Sequence, residues 1–190
     1  MESLLNEISA CTSCVPHLTL GPNPVLSVSK ESKIIIIGQA PGAVVHKSGI
    51  PWEDKSGDTL RAWMGIEWKR FYNPKEVALI PMGFCYPGKE KSGDLPPRKE
   101  CAPQWHPLLL SQLKNVKLIL LVGKYAQDYY LQEDVKKILT ERVKNHSDYL
   151  PKFFVLPHPS PRNNIWQARN VWFKRDVLPH LKFCIAEALL

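Results

Sequence analysis

Lys33-Ile34-Ile35-Ile36-Ile37-Gly38-Gln39-Ala40-Pro41-Gly42 is the stretch that decides the fold. Four consecutive isoleucines between a lysine and a glycine have no polar side to turn toward water, so they read as a short strand buried on both faces. Such a strand belongs at the centre of a parallel sheet, and the Gly/Pro turn behind it ends it abruptly. Working outward, the runs 77–80, 118–122 and 153–156 have the same character, the third closing on Gly123 and the fourth on Pro157. Helical patterns at 59–64, 99–113 and 125–131 alternate with them, and a last helix is expected over 165–188. Strand alternating with helix predicts an α/β fold, a three-layer α/β/α sandwich around a mostly parallel four-stranded central sheet.

Ligands of such sheets bind beyond the carboxyl ends of the strands. The unusual loops of this chain fall there, at 38–42, 81–85 and 157–164, and its 17 prolines concentrate in them and in the stretches 21–24 and 95–97. Proline presets its backbone φ, so these loops are stiff enough to hold a site in place. The 38–42 loop lacks the Lys-Ser/Thr ending of a triphosphate cradle and the third glycine of a dinucleotide fingerprint, which argues against both ligands. On its own it is as readily a structural turn as a functional one.

Composition narrows the class. A chain of 190 residues, 44% apolar, suits one domain spanning 1–190 with a real core. Its formal charge is +7, from 25 Lys and Arg against 18 Asp and Glu, which suits a polyanionic partner such as nucleic acid. The opening Met1-Glu2-Ser3-Leu4-Leu5-Asn6-Glu7 has no basic segment followed by a long apolar run, and no apolar stretch reaches bilayer length, so a cytoplasmic monomer is expected. In that reducing compartment the five cysteines are weighed as metal or catalytic residues before disulfides.

Three ordered motifs carry a specific likeness. Gly38-Gln39-Ala40-Pro41-Gly42, Ser48-Gly49-Ile50-Pro51-Trp52 and His158-Pro159-Ser160-Pro161-Arg162-Asn163 resemble the first motif, the base-stacking segment and the second motif of the uracil-DNA glycosylase superfamily. The likeness runs from about Cys11 to Arg162. It is nearest to the bacterial and archaeal iron-sulfur branch, whose first motif reads Gly-Glu-Ala-Pro-Gly. The second motif is similar to that of the single-strand-selective branch. The resemblance implies a monofunctional DNA glycosylase that hydrolyses the N-glycosidic bond of uracil or another deaminated base in DNA.

A glycosylase must take a base out of the stack, grip it, and stabilise the charge that develops as the C1′–N bond breaks. In that light Trp52 supplies a stacking face. His158 donates a hydrogen bond to the base carbonyl oxygen, an oxyanion-type role. Gly38, Ala40 and Gly83 shape the base pocket, and Gln39 contacts the base or the water. Ser160, Arg162 and Asn163 meet the DNA, with Asn164 beside them. For the water, Ala40 stands where the best-known branch has an aspartate. Asp54 is either a carboxylate base or the cap of the following helix, and His46 is a third candidate.

The cysteines form a second constellation. Cys11 and Cys14 make a C-x-x-C, while Cys85 and Cys101 flank a loop and a helix start. Four thiolates suit a 4Fe-4S cluster or zinc, and the resemblance implies the cluster as a staple rather than a redox catalyst. The loop it would tie down carries Lys89, Lys91, Arg98 and Lys99 for a phosphate backbone. Cys184 reads as ordinary core.

One departure bears on the substrate. Where the iron-sulfur branch reads uracil with an asparagine four residues before its third cysteine, this chain has Pro81, which offers neither a side-chain amide nor a backbone N–H. Met82, Gly83, Phe84 and Gln39 must then read the base, or the base is not uracil. Two other readings stand beside this one, the first of them motivated by Pro81 and Ala40. One is a non-catalytic iron-sulfur nucleic-acid-binding module; the other is a zinc-stapled enzyme acting on a nucleoside or nucleotide.

Overall fold

The computed structural model describes residues 1–91, 93–134 and 137–190. Its strands are β1 Ile34–Ile37, β2 Val77–Leu79, β3 Lys89–Glu90, β4 Gly93–Asp94, β5 Leu118–Val122 and β6 Phe153–Leu156. Its α-helices are α1 Glu2–Ser9, α2 Ala43–Ser48, α3 Lys55–Met64, α4 Trp68–Phe71, α5 Cys101–Gln112, α6 Lys124–Tyr130, α7 Leu139–Lys144, α8 Asn164–Arg169 and α9 Leu178–Leu189. The central sheet has the order β2-β1-β5-β6 and every pair in it is parallel.

All four isoleucines of β1 are buried, and the pleat sends them alternately to opposite sides. Ile34 and Ile36 enter a core built with Leu60, Trp63 and Met64 of α3, Phe71 of α4, Val143 of α7, and Leu181 and Ile185 of α9. Ile35 and Ile37 enter a second core with Leu4 and Ile8 of α1, Leu109 of α5 and Ala126 of α6. Helices therefore cover both faces, and the α/β/α layering follows directly from β1 having no polar side.

The expected strands stand within one residue of their positions; the helices differ more. The single helix expected over 165–188 is divided. Helix α8 stops at Asn170, whose side-chain amide donates to the Trp166 carbonyl at 2.8 Å, and a π-helical turn at Phe173–Val177 leads into α9. The cause lies in Pro179, which follows Leu178 and brings no N–H to an α-helical ladder, so the chain widens before it. Within α5, Pro107 is tolerated because Pro103, whose carbonyl it leaves without a donor, faces solvent.

Helices α1 and α2 and the β3–β4 hairpin are additions to the sequence expectation. The hairpin closes through the Leu95 N–H on the Gly88 carbonyl at 2.9 Å, with Lys89 paired to Asp94. Buried Arg142 ties α7 to α6 through Asp128 at 2.7 Å. Among the described residues no helix is long and apolar enough to cross a membrane.

Candidate active site

The loops after β1, β2 and β6, the segment before α3 and the hairpin enclose a cleft of about 550 Å³ at the carboxyl end of the sheet. Gln39, Ala40 and Pro41 form its floor. Two backbone bonds from the neighbouring loop hold that floor: the Met82 N–H donates to the Gly38 carbonyl and the Gly83 N–H to the Gln39 carbonyl, each at 3.0 Å.

Trp52 forms one wall. Its φ is +59°, a left-handed conformation rare for an aromatic residue, so the surroundings must impose it. Gly57 admits it: a Cβ there would stand 1.7 Å from the Trp52 carbonyl oxygen. Arg61 reaches the same carbonyl at 3.5 Å and donates to the Tyr72 hydroxyl at 3.0 Å. The indole then lies on Gly38, where a Cβ would come within 2.5 Å of the ring, and stacks on His158 with centroids 5.8 Å apart at 28°.

His158 is half-buried and backed by Gly123. The Asn163 amide donates to the His158 carbonyl at 2.6 Å, and Ser160 Oγ accepts the Arg162 N–H at 3.2 Å, so this loop is braced by its own side chains. Burial pushes the His158 pKa below its ordinary value, while the carboxylates of Asp54 and Asp94 pull the other way and leave a net lowering. The ring is consequently neutral at neutral pH and carries one N–H donor.

Asp54 lines the cleft and caps α3: its Oδ1 accepts the Gly57 N–H at 2.8 Å. Arg162 lies against Gly93 of the hairpin, where a Cβ would stand 2.3 Å from Nη1. Pro81 also lines the cleft, and its carbonyl is turned to buried His106. That histidine donates from Nε2 to the Pro81 oxygen at 3.0 Å and accepts the Tyr130 hydroxyl at Nδ1 at 2.6 Å. Burial drives its pKa down to about 4, so it serves as a neutral bridge.

Most of the expected site residues meet in this cleft: Gly38, Gln39, Ala40, Trp52, Asp54, His158, Ser160, Arg162 and Asn163 line it together. Gly83 stands behind it, against Pro97, and His46 packs on Tyr86 with ring centroids 6.0 Å apart. Lys89, expected at a phosphate backbone, lines the cleft from the hairpin, and two residues that sequence reasoning missed join it, Asp94 on the hairpin and Tyr86 just before it. The available signal was the pair Gly88 and Gly93, both at positive φ, bracketing a segment read only for its basic charge.

Cys11, Cys14, Cys85 and Cys101 converge from three segments on a separate, small cavity of about 20 Å³. The Phe84 N–H donates to Cys101 Sγ at 3.4 Å. Burial pushes the Cys101 thiol up to about 12, and the nearby cysteines add to the rise. Arg98 faces the same cavity, bonds Cys14 and pairs with Glu100 at 2.9 Å. Cys184 packs on the core of the opposite face. Among the described residues no three His, Cys, Asp or Glu side chains form a group that would hold a metal ion. The donor set itself, four thiols on one cavity with an N–H already directed at sulfur, has the chemistry of a four-thiolate ligand set, which suits a 4Fe-4S cluster or zinc.

Comparison with known proteins agrees with this geometry. The family model of the uracil DNA glycosylase superfamily matches residues 27–182. The Type-4 uracil-DNA glycosylase of Thermotoga maritima is 27% identical over 165 residues, 84% of this chain and 81% of that protein.

Proposed function

The chain belongs to the uracil DNA glycosylase superfamily, and from that premise we propose that it hydrolyses the N-glycosidic bond of a deaminated base in DNA, uracil before hypoxanthine or xanthine. The observation that carries this reading is the Trp52–His158 pair, an indole held at positive φ and stacked on a neutral imidazole inside the cleft. Base-aromatic stacking is worth about 1–3 kcal/mol, enough to help hold a base removed from its duplex. As the C1′–N bond breaks, its electron pair moves into the base and charge gathers on a carbonyl oxygen. The His158 N–H stabilises that charge. Asp54 contributes a negative field that favours the cationic sugar, and Gln39 offers an amide donor and acceptor to the base edge.

Lys89 lines the cleft from the hairpin; this reading gives it to the phosphate backbone, so the bond is broken by direct hydrolysis rather than through a Schiff base. Ser160, Arg162 and Asn163 form the DNA-facing rim. Cys11, Cys14, Cys85 and Cys101 would hold a 4Fe-4S cluster. It would supply a structural clasp between the N-terminal segment and the loop that ends in α5.

Incubation with single- and double-stranded oligonucleotides carrying uracil, hypoxanthine or xanthine, followed by alkali, tests the reading. Strand cleavage at the modified position is the expected result. Salt-dependent binding with no abasic product from any substrate would replace it with the non-catalytic binding module.

A further inference from the structure

We propose that Asp94, carried by the β3–β4 hairpin, is the carboxylate that binds the attacking water and accepts its proton, an inference that rests on the base-release reading above. Among the described residues two carboxylates line the cleft, and they differ in how they are engaged. Asp54 is committed to α3, its Oδ1 taking the Gly57 N–H at 2.8 Å. The oxygen that accepts this bond is occupied by the helix terminus and has that lone pair unavailable to a water. Among the described residues Asp94 meets the Tyr86 hydroxyl at a long 3.4 Å, so its oxygens stay available in the cleft.

The hairpin aims Asp94 inward. Its Oδ2 faces Gly42 of the first loop, where even a methyl group would be 3.6 Å away, and the missing side chain at Gly42 keeps the space before the carboxylate open. Gly93, at φ +138°, lets the Arg162 guanidinium pass across the hairpin from the His158 loop. The titratable and charged groups around Asp94 are therefore Tyr86, its strand partner Lys89, Arg162 and His158. Asp94 and His158 line the same cleft, so carboxylate and imidazole face one substrate-sized space.

The step balances without a redox partner. Water oxygen bonds to C1′ as the C1′–N electron pair leaves with the base. One water proton passes to Asp94, and Asp94 returns it through solvent to the departed base. The net change is addition of one water across the bond. The carboxylate acts at the sugar end of the broken bond and His158 at the base end.

Single-turnover base release by the full chain, compared among wild type, Asp94→Asn, Asp94→Glu, Asp54→Asn and Tyr86→Phe, tests the assignment. Asp94→Asn should slow release about 100- to 10,000-fold. Its affinity for an oligonucleotide carrying a tetrahydrofuran abasic mimic should be retained. Asp94→Glu should recover part of the rate, and Tyr86→Phe should lose far less than Asp94→Asn. An active wild type with Asp94→Asn near its rate overturns the inference and leaves the glycosylase reading standing. Loss in Tyr86→Phe equal to that in Asp94→Asn, or a larger loss in Asp54→Asn than in Asp94→Asn, also overturns it. Should Asp94→Asn lose binding too, Asp94→Glu decides, since a restored carboxylate must regain rate. A wild type that releases no base removes both readings together.

Discussion

His106 shows how one buried side chain shapes the cleft from behind. It is 1% exposed and spans the Tyr130 hydroxyl and the Pro81 carbonyl, so the Pro81 oxygen is held by a hydrogen bond from behind the cleft. Folding lowers its pKa from 6.5 to about 4, which means that the unfolded chain binds more protons between those values. Its contribution to stability is thus complete above about pH 6.5 and is lost as pH falls through about 4, a difference on the order of 3 kcal/mol. Denaturant unfolding should show that decline in wild type, and His106→Gln should flatten the part between pH 6.5 and 4. Equal slopes in the two proteins would contradict it. Nothing in the sequence pointed to this role, because a histidine in a Trp-His-Pro run gives no sign of which carbonyl it will meet. His158 and Trp52 were legible, since a proline-flanked histidine and a loop tryptophan sit beside strand ends where ligands bind.

Among the elements, α3 does most to position the site. Its first turn holds Asp54 through Gly57 and, by the absence of a side chain at Gly57, admits the Trp52 carbonyl. Gly57→Ala should therefore displace Trp52 rather than unfold the chain. The expected outcome is at least a tenfold loss in base release, equivalent to about 1.4 kcal/mol in the barrier, with near-ultraviolet circular dichroism altered and helix content retained. Full activity in that variant would contradict the account of the Trp52 wall. The four central strands could be read from the chain because each is a continuous apolar run with a breaker behind it. The β3–β4 hairpin could not: its strands have two residues each, alternate no apolar side chains and pair only with one another. The division of α8 from α9 escaped the pattern because Phe173, Val177 and Leu181 keep their buried faces across the π-turn, so hydrophobic spacing alone reads as one helix.

At the scale of the molecule, two constellations stand next to one another, the cleft and the four-cysteine cavity, joined by the loop from Phe84 to Cys101. The Phe84 N–H bonds Cys101 while the adjacent Gly83 N–H bonds the Gln39 carbonyl, so two neighbouring residues link the cysteine cavity to the cleft floor. Protein purified without oxygen should carry iron and absorb broadly near about 400 nm. Cys11→Ser with Cys14→Ser should abolish that absorbance and lower the unfolding temperature; colourless wild-type protein with unchanged stability in the variant would contradict the cluster. Cys11 and Cys14 lie outside residues 27–182, so their place beside Cys85 and Cys101 is a feature of the folded chain rather than of the family match. The central claim, that the Trp52–His158 cleft releases a damaged base, meets its most direct test in one measurement: single-turnover release from uracil-, hypoxanthine- and xanthine-containing oligonucleotides by wild type and His158→Ala. Wild type should release at least one of the three, and His158→Ala should do so about 100- to 1,000-fold more slowly. Absence of abasic product with every base, or an unchanged rate in His158→Ala, would contradict it.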